Sequence, residues 1–322
     1  MLPRGTYDNM AKTAKQRSAR APSGRRQMSG QPTGGTVASK SGAFKAVLPA
    51  GLYVVATPIG NLGDMTARAI DTLRAVDLIA CEDTRVTGIL AQRFALGTPL
   101  TPYHDHNADA VRPKLIEKLQ EGAAIALVSD AGTPLISDPG YKLVRACAEA
   151  GVTVVPIPGP SALLAALVVA ALPTDRIFFA GFLPAKQGAR RDVIAEVKSL
   201  QATLVFYDST QRLPDTLVDL AAMLGPRPAA VCRELTKLHE DIRRATLEDL
   251  AQHYEAEGAP KGEVVIVVGG AAPVEATSDD VDEALRVALE TMSVRDAAAY
   301  VAETMKQSRR ALYTRALELA KK

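Results

Sequence analysis

The sequence predicts an α/β protein: two consecutive α/β domains with a ligand cleft between them, then a small helical domain. Three observations carry this. Short apolar runs of strand length alternate with amphipathic helical stretches from Leu48 to about Gly270. That alternation is the mark of right-handed crossovers and a mostly parallel sheet. The apolar runs empty into loops of Gly, Pro, Asp, Ser and Thr, and open α/β sheets bind ligands at such strand ends. Beyond Ala271 only helical periodicity remains.

Leu52 to Ala56 reads as the first strand, followed by the loop Thr57 to Asp64. A helix from about Thr66 to Val76 buries Ala69, Ile70 and Leu73. Leu78 to Ala80 is the second strand and discharges into Cys81-Glu82-Asp83-Thr84-Arg85. Pro99 to Tyr103 is the third, with a helix around Val111 to Gln120 behind it. Ala124 to Val128 is apolar without interruption, as expected of a parallel strand buried on both faces. After it, Tyr141 to Ala150 sets Leu143, Val144 and Cys147 on one helical face. Thr153 to Pro156 leads into Pro158-Gly159-Pro160-Ser161-Ala162, and the Ala-rich run to Leu172 suits a helix packed closely on a sheet. These elements make a first domain over residues 47–172.

The second domain, 173–270, has strands at Ile177 to Ala180, Thr203 to Tyr207, Ala229 to Cys232 and Val264 to Val268. Helices lie between them, around Ala189 to Ser199, Arg212 to Leu224 and Leu247 to Glu257. Residues 271–322 hold a linker and three helices, over Val281 to Leu289, from the cap Ser293 to about Met305, and from Ser308 to Ala320. The last two resemble a helix-turn-helix, although a capping helical hairpin would show the same pattern.

Between the fourth strand and its helix stands Ser129-Asp-Ala-Gly-Thr-Pro-Leu-Ile-Ser-Asp-Pro-Gly140. At twelve residues it exceeds an ordinary βα connection of a few residues. Its glycines permit close backbone approach, and its hydroxyls and carboxylates supply directed hydrogen bonds. It contains no Lys or Arg, so it suits a neutral or cationic amine-bearing ligand better than a polyphosphate.

Composition narrows the classes. The chain of 322 residues is 47% hydrophobic, yet its longest apolar stretch, Ala162 to Leu172, is too short to span a bilayer. Cys81, Cys147 and Cys232 are scattered and odd in number, which predicts neither a disulfide framework nor a metal site and fits a reducing cytoplasm. His104 and His106 are read as loop residues leaving the third strand. No Gly-x-Gly-x-x-Gly fingerprint marks a nicotinamide site. Aromatic residues are 4% and Trp is absent, so base-stacking platforms of a purely RNA-binding protein are poorly supplied.

The formal net charge of +2 conceals a partition. Residues 1–46 hold nine Lys or Arg against Asp8 alone, and residues 291–322 hold seven basic against three acidic residues. The ends are therefore +8 and +4, which leaves −10 on the body. Basic ends suit a polyanionic partner, or simply solubility. Residues 1–46 are rich in Ser, Gly, Pro, Arg and Lys without apolar periodicity, and are expected to be disordered. Their composition is also that of an organellar transit peptide, although no amphipathic helix is evident.

Taken together, Thr57 to Asp64, Glu82 to Arg85, Ser129 to Gly140, Pro158 to Ala162, Gly181-Phe-Leu-Pro184 and Arg233-Glu-Leu-Thr-Lys237 resemble the ribosomal RNA small-subunit methyltransferase I family of the tetrapyrrole-methylase superfamily. The resemblance covers roughly Gly51 to Gly270 and the helical C-terminus. It implies S-adenosyl-L-methionine as cofactor and methylation of a cytidine ribose 2′-hydroxyl in the decoding region of 16S ribosomal RNA, free or in the 30S subunit. It also implies a homodimer with the cofactor in the interdomain cleft. Porphyrinoid-modifying members of the superfamily carry Gly-Asp-Pro where this chain has Gly60-Asn61-Leu62 and Gly132-Thr133-Pro134. Both differences remove a carboxylate, as expected for a polyanionic substrate. A porphyrinoid methyltransferase is the alternative reading, and a non-catalytic RNA-binding protein a third.

For the chemistry, Glu82 is a candidate proton acceptor, Arg85 a phosphate or carboxylate partner and Asn61 a hydroxyl-positioning group. Asp64 and Asp83, just before helices, suit capping. The resemblance assigns cofactor contacts to Gly132, Thr133, Ile136, Ser137, Ser161 and Ala162, with Phe182 and Leu183 from the second domain. Arg233 and Lys237 are candidate substrate contacts on the cleft, and Arg309, Arg310 and Arg315 on the C-terminal helices. No metal site is expected.

Overall fold

The computed structural model describes residues 48–272 and 278–320. The basic segment 1–46 and most of the expected linker lie outside them.

A first sheet contains β1 (Gly51–Val55), β2 (Leu78–Cys81), β3 (Leu100–Pro102), β4 (Ala124–Val128) and β5 (Val154–Ile157), in the order β3-β2-β4-β1-β5. All of its pairings are parallel. Every residue of β4 is buried, as its uninterrupted apolar run requires. Helices α1 (Ala67–Ala75) and α2 (Thr84–Arg93) cover one face through Ala69, Leu73 and Leu90. Helices α3 (Ala108–Gln120) and α4 (Tyr141–Glu149) cover the other through Leu115, Leu119, Leu143 and Cys147. The loops after β1, β2, β4 and β5 consequently share one edge.

The second sheet departs from the first. It comprises β6 (Ile177–Phe182), β7 (Thr203–Ser209), β8 (Pro228–Arg233), β9 (Asp241–Thr246) and β10 (Glu263–Val268), ordered β6-β7-β10-β8-β9. Only β6 and β7 run parallel; the other pairings are antiparallel. Strand β9, Asp-Ile-Arg-Arg-Ala-Thr, is absent from the sequence expectation. It lies on the sheet edge and none of its residues is fully buried, so it has no apolar run to announce it. Helices α6 (Gln187–Val197), α7 (Leu213–Leu224) and α8 (Leu247–Glu257) cover one face around Phe206, Leu217 and Ile266. Between α6 and α7, the buried Arg190 guanidinium meets the Asp219 carboxylate at 2.6 Å, and Arg191 adds a second contact at 2.8 Å.

Helix α5 (Ala162–Ala170) covers the opposite face of this second sheet, packing Ala166, Leu167 and Ala170 against Val205, Ala230 and Val267. Ile59, from the loop after β1, joins the same cluster. The two sheets are thus joined through α5. The C-terminal helices α9 (Ser278–Leu289), α10 (Val294–Met305) and α11 (Arg309–Leu319) enclose their own core of Leu285, Ala298, Val301 and Leu312.

Candidate active site

A cavity of about 460 Å³ opens where the first sheet's strand ends face the second sheet. Its floor is the loop after β4. Gly132 forms a two-way backbone bridge with Thr57, at 2.9 and 3.0 Å, which locks the loops after β4 and β1 together. Gly132 sits at φ +83, and a Cβ there would lie 3.3 Å from Ile59 Cγ2. A side chain there is strained by the conformation, and Ile59 would have to give way by a few tenths of an ångström. Leu135 and Ser137 also hold positive φ values, 76 and 62. For non-glycine residues such strain persists only where the surroundings impose it, and it gathers at functional sites. From the other side, β6 bulges at Phe179–Gly181, and a Cβ at Gly181 would meet the Ser137 hydroxyl at 3.0 Å.

The lining is acidic. It includes Glu82, Asp130, Asp138, Asp208 and Glu263, and no Lys, Arg or His. Burial raises the Glu82 carboxyl above its ordinary range, with the nearby Asp130 charge adding to it. Burial likewise raises Asp130, and lifts Asp138 to about 6, with Glu82 and Asp130 contributing. Asp130 also accepts a hydrogen bond from the Asp83 amide at 3.1 Å, tying the loops after β2 and β4. Apolar walls come from Ile59, Ile136, Phe182 and Val265. Tyr207 lies edge-on to Phe179 and Phe182, its ring centre 4.8 and 5.4 Å from theirs.

Among the residues singled out from the sequence, Glu82, Gly132, Thr133, Ile136, Ser137, Ser161, Ala162 and Phe182 line this cavity. Others stand elsewhere. Leu183 is 2% exposed and packs into the second sheet's core, because alternation along the strand end turns it away from Phe182. Asn61 is exposed, and its side chain caps the turn Leu62–Asp64 by accepting the Gly63 amide at 2.9 Å. Arg85 is committed to Asp83, which caps α2 and is held down at about 2 by the Arg85 hydrogen bond. Arg233 donates to the Lys261 carbonyl, and Lys237 bridges Glu234 and Glu263 at 2.8 and 2.9 Å on the cavity rim. In the helical domain Arg315 is paired with Asp282, at 2.6 Å, and with Glu318, so it clamps α11 to α9. Arg309 and Arg310 are exposed. The sequence reading missed Asp130, Asp138, Tyr207, Asp208 and Glu263 as lining residues. Asp130 and Asp138 were legible as polar members of the twelve-residue loop, and Tyr207 and Asp208 in the polar run Tyr207-Asp208-Ser209-Thr210; Glu263 depends on how the second sheet faces the loop.

Two family models match the chain: Tetrapyrrole (Corrin/Porphyrin) Methylases over residues 51–251, and the RsmI C-terminal HTH domain over residues 275–320. Ribosomal RNA small subunit methyltransferase I of Mesorhizobium japonicum is 50% identical over 272 residues, covering 83% of this chain and 92% of the relative. The protein of the same name from Escherichia coli O157:H7 is 50% identical over 270 residues, covering 83% and 94%.

The chain belongs to the ribosomal RNA small subunit methyltransferase I family.

The fold itself is shared with a structure of low sequence identity. A crystal structure of diphthine synthase superposes with a TM-score of 0.55 at 16% identity, covering 68% of this chain and 89% of that one. The described architecture of two α/β sheets and a helical C-terminal region therefore agrees with the fold expected from the sequence.

Proposed function

We propose that this methyltransferase transfers a methyl group from S-adenosyl-L-methionine to the ribose 2′-hydroxyl of a cytidine in small-subunit ribosomal RNA. One observation carries the choice of donor: a cavity lined by Glu82, Asp130 and Asp138, with no cationic side chain in the described lining and with Asp208 and Glu263 already paired to Arg212 and Lys237. S-Adenosyl-L-methionine bears a sulfonium and an ammonium, and both gain from such a lining. The volume of about 460 Å³ lies within the range of small-molecule sites. Apolar walls beside polar loop groups suit a ligand with an aromatic base at one end and an amino acid at the other. Glycine at position 132, held at φ +83, carries no side chain over the loop backbone.

In this reading Gly132, Thr133, Ile136 and Ser137 hold the cofactor from below, Ser161 and Ala162 from the start of α5, and Phe182 from the second sheet. When bound, the cofactor supplies an electrophilic methyl group on sulfur. Glu82 accepts the proton of the attacking hydroxyl, its burial making it more basic than a solvated carboxylate. The same acidic lining would repel phosphates, so the RNA backbone stays outside the cavity. Arg309 and Arg310, exposed and without a carboxylate in the first turn of α11, are its proposed anchors. Lys237 and Arg233 serve at the rim when their present partners exchange.

A homodimer is part of the proposal. Leu164 and Val168, 59% and 79% exposed, form one stripe on α5, and Ile177 and Phe178 are exposed on the edge strand β6. An exposed apolar stripe on a helix suits an interface with a second copy of the chain. Among the described residues no helix is long and apolar enough to cross a membrane; a cytoplasmic enzyme fits the family. The test is mass-spectrometric mapping of ribose methylation in ribosomal RNA from a strain lacking the gene. One 2′-O-methylcytidine of the small subunit should disappear, and a strain with every 2′-O-methyl intact would sink the proposal.

A further inference from the structure

A second cavity, of about 300 Å³, lies against the first; Ile59 and Ser161 line both. Its polar wall draws on both sheets. Asp64 comes from the turn after β1, Thr66 caps α1, Ser161 begins α5, and Thr236 comes from the β8–β9 connection. Two of these side chains carry a buried atom that finds no hydrogen-bond partner among the described residues: Asp64 Oδ2 and Thr236 Oγ1. Buried polar atoms are nearly always paired, and each orphan calls for an explanation. Here two of them line one cavity. Ser161, at the N-cap of α5, makes no capping hydrogen bond either. Thr236 is held at φ +67, an uncommon conformation for a β-branched residue, while its amide donates to Glu240 at 2.7 Å. Asp64 is fixed by the turn that Asn61 caps.

We infer that this cavity receives a nucleobase bearing an exocyclic amine, unstacked from the substrate RNA. The inference rests on the proposed RNA methyltransferase activity. An ionised carboxylate only accepts, whereas a hydroxyl can donate. Asp64 therefore takes an amino N–H of the base, and the Thr236 and Ser161 hydroxyls donate to its ring nitrogen or carbonyl. Carboxylate acceptance of an exocyclic amine separates cytosine from uracil, which would present a carbonyl oxygen to the same carboxylate. The lining holds no aromatic residue, so the base is read by its edge rather than by stacking. Sequence-specific readers of single-stranded RNA work on such splayed edges, and base-modifying enzymes seat an extruded nucleotide in a fitted pocket. The shared wall at Ile59 and Ser161 puts an occupant of this cavity next to the proposed donor cavity. A ribose-methylating reaction requires that adjacency.

The experiment uses the full chain, radiolabelled S-adenosyl-L-methionine and 30S subunits lacking the modification, carrying either C or U at the mapped position. Asp64→Asn and Thr236→Val should each lower kcat/KM on the C subunits by roughly 10–100-fold, the scale of one good base contact. Thr236→Ser, which keeps the hydroxyl, should retain most of the rate. Asp64→Asn should also narrow the preference for C over U, since an amide can donate to the uracil carbonyl. Calorimetric affinity for S-adenosyl-L-methionine should not change in any of them. Folded variants with wild-type rates and an unchanged C-to-U ratio would overturn the assignment of this cavity. Failure of the wild-type protein to methylate either subunit would instead overturn the activity on which it rests.

Discussion

Asp138 offers a direct way to test whether the acidic cavity is held against the stability of the fold. Its carboxyl lies half-buried among Glu82 and Asp130, which with its burial lifts it from 3.8 to about 6, although the Ser129 hydroxyl works the other way. A raised value in the folded state means the fold prefers the protonated form. The benefit is complete below pH 3.8 and is lost as pH rises through about 6. Above that, the ionised carboxylate is a standing cost. At about 1.4 kcal/mol per tenfold change in proton affinity, the difference amounts to about 3 kcal/mol. Partial exposure lets solvent screen it, so roughly 1–2 kcal/mol is the expected net. Asp138→Asn removes the charge and keeps the shape. It should therefore be more stable than the wild type at pH 8 by about 1–2 kcal/mol, or about 1.5–3 °C in Tm for a chain of this size. The gain should vanish near pH 4. Urea titrations of both proteins at pH 4, 6 and 8 provide the assay. A gain of equal size at every pH would refute the electrostatic argument, as would none at pH 8.

Three further outcomes follow from the same geometry. Gly132→Val should lose S-adenosyl-L-methionine affinity by more than about 100-fold in calorimetry at a folding cost of roughly 1–3 kcal/mol, because φ +83 and the Ile59 contact both oppose a β-branched side chain; unchanged affinity would remove the loop from the cofactor site. Glu82→Gln should slow single-turnover methyl transfer by roughly 100-fold or more with cofactor affinity retained, while Asp83→Asn, still a competent cap for α2, should stay within a few-fold of wild type. The wild-type rate should fall as pH drops through the raised Glu82 value, and a flat profile would leave that carboxylate structural. Arg309→Glu with Arg310→Glu should weaken RNA binding and reduce its salt slope by roughly 0.7 for each phosphate no longer neutralised, whereas an unchanged slope with an intact mass by light scattering would exclude the anchoring role.

Much of this protein was written in local pattern. The five strands of the first sheet and the helices α1, α3 and α4 packed on it follow from apolar runs and 3.6-residue periodicity, which depend only on neighbours in sequence, whereas the span of α2 was not read. The loop from Ser129 to Gly140 announced itself by length and composition, and eight of the cleft residues drawn from such loops line one cavity. Local pattern could not supply β9, whose edge position leaves it without an apolar face, nor the antiparallel order of the second sheet. It could not tell Phe182 in the cavity from Leu183 in the core, since adjacent strand residues face opposite ways and only the partner surface decides which face is wet. Nor could it show that Arg85, Lys237 and Arg315 are engaged by Asp83, Glu263 and Asp282. The convergence of Asp130, Asp138, Asp208 and Glu263 on one space, and of Asp64 with Thr236 on another, joins residues up to 172 positions apart. Such pairings arise when two sheets pack through α5, and no property of either segment alone encodes them.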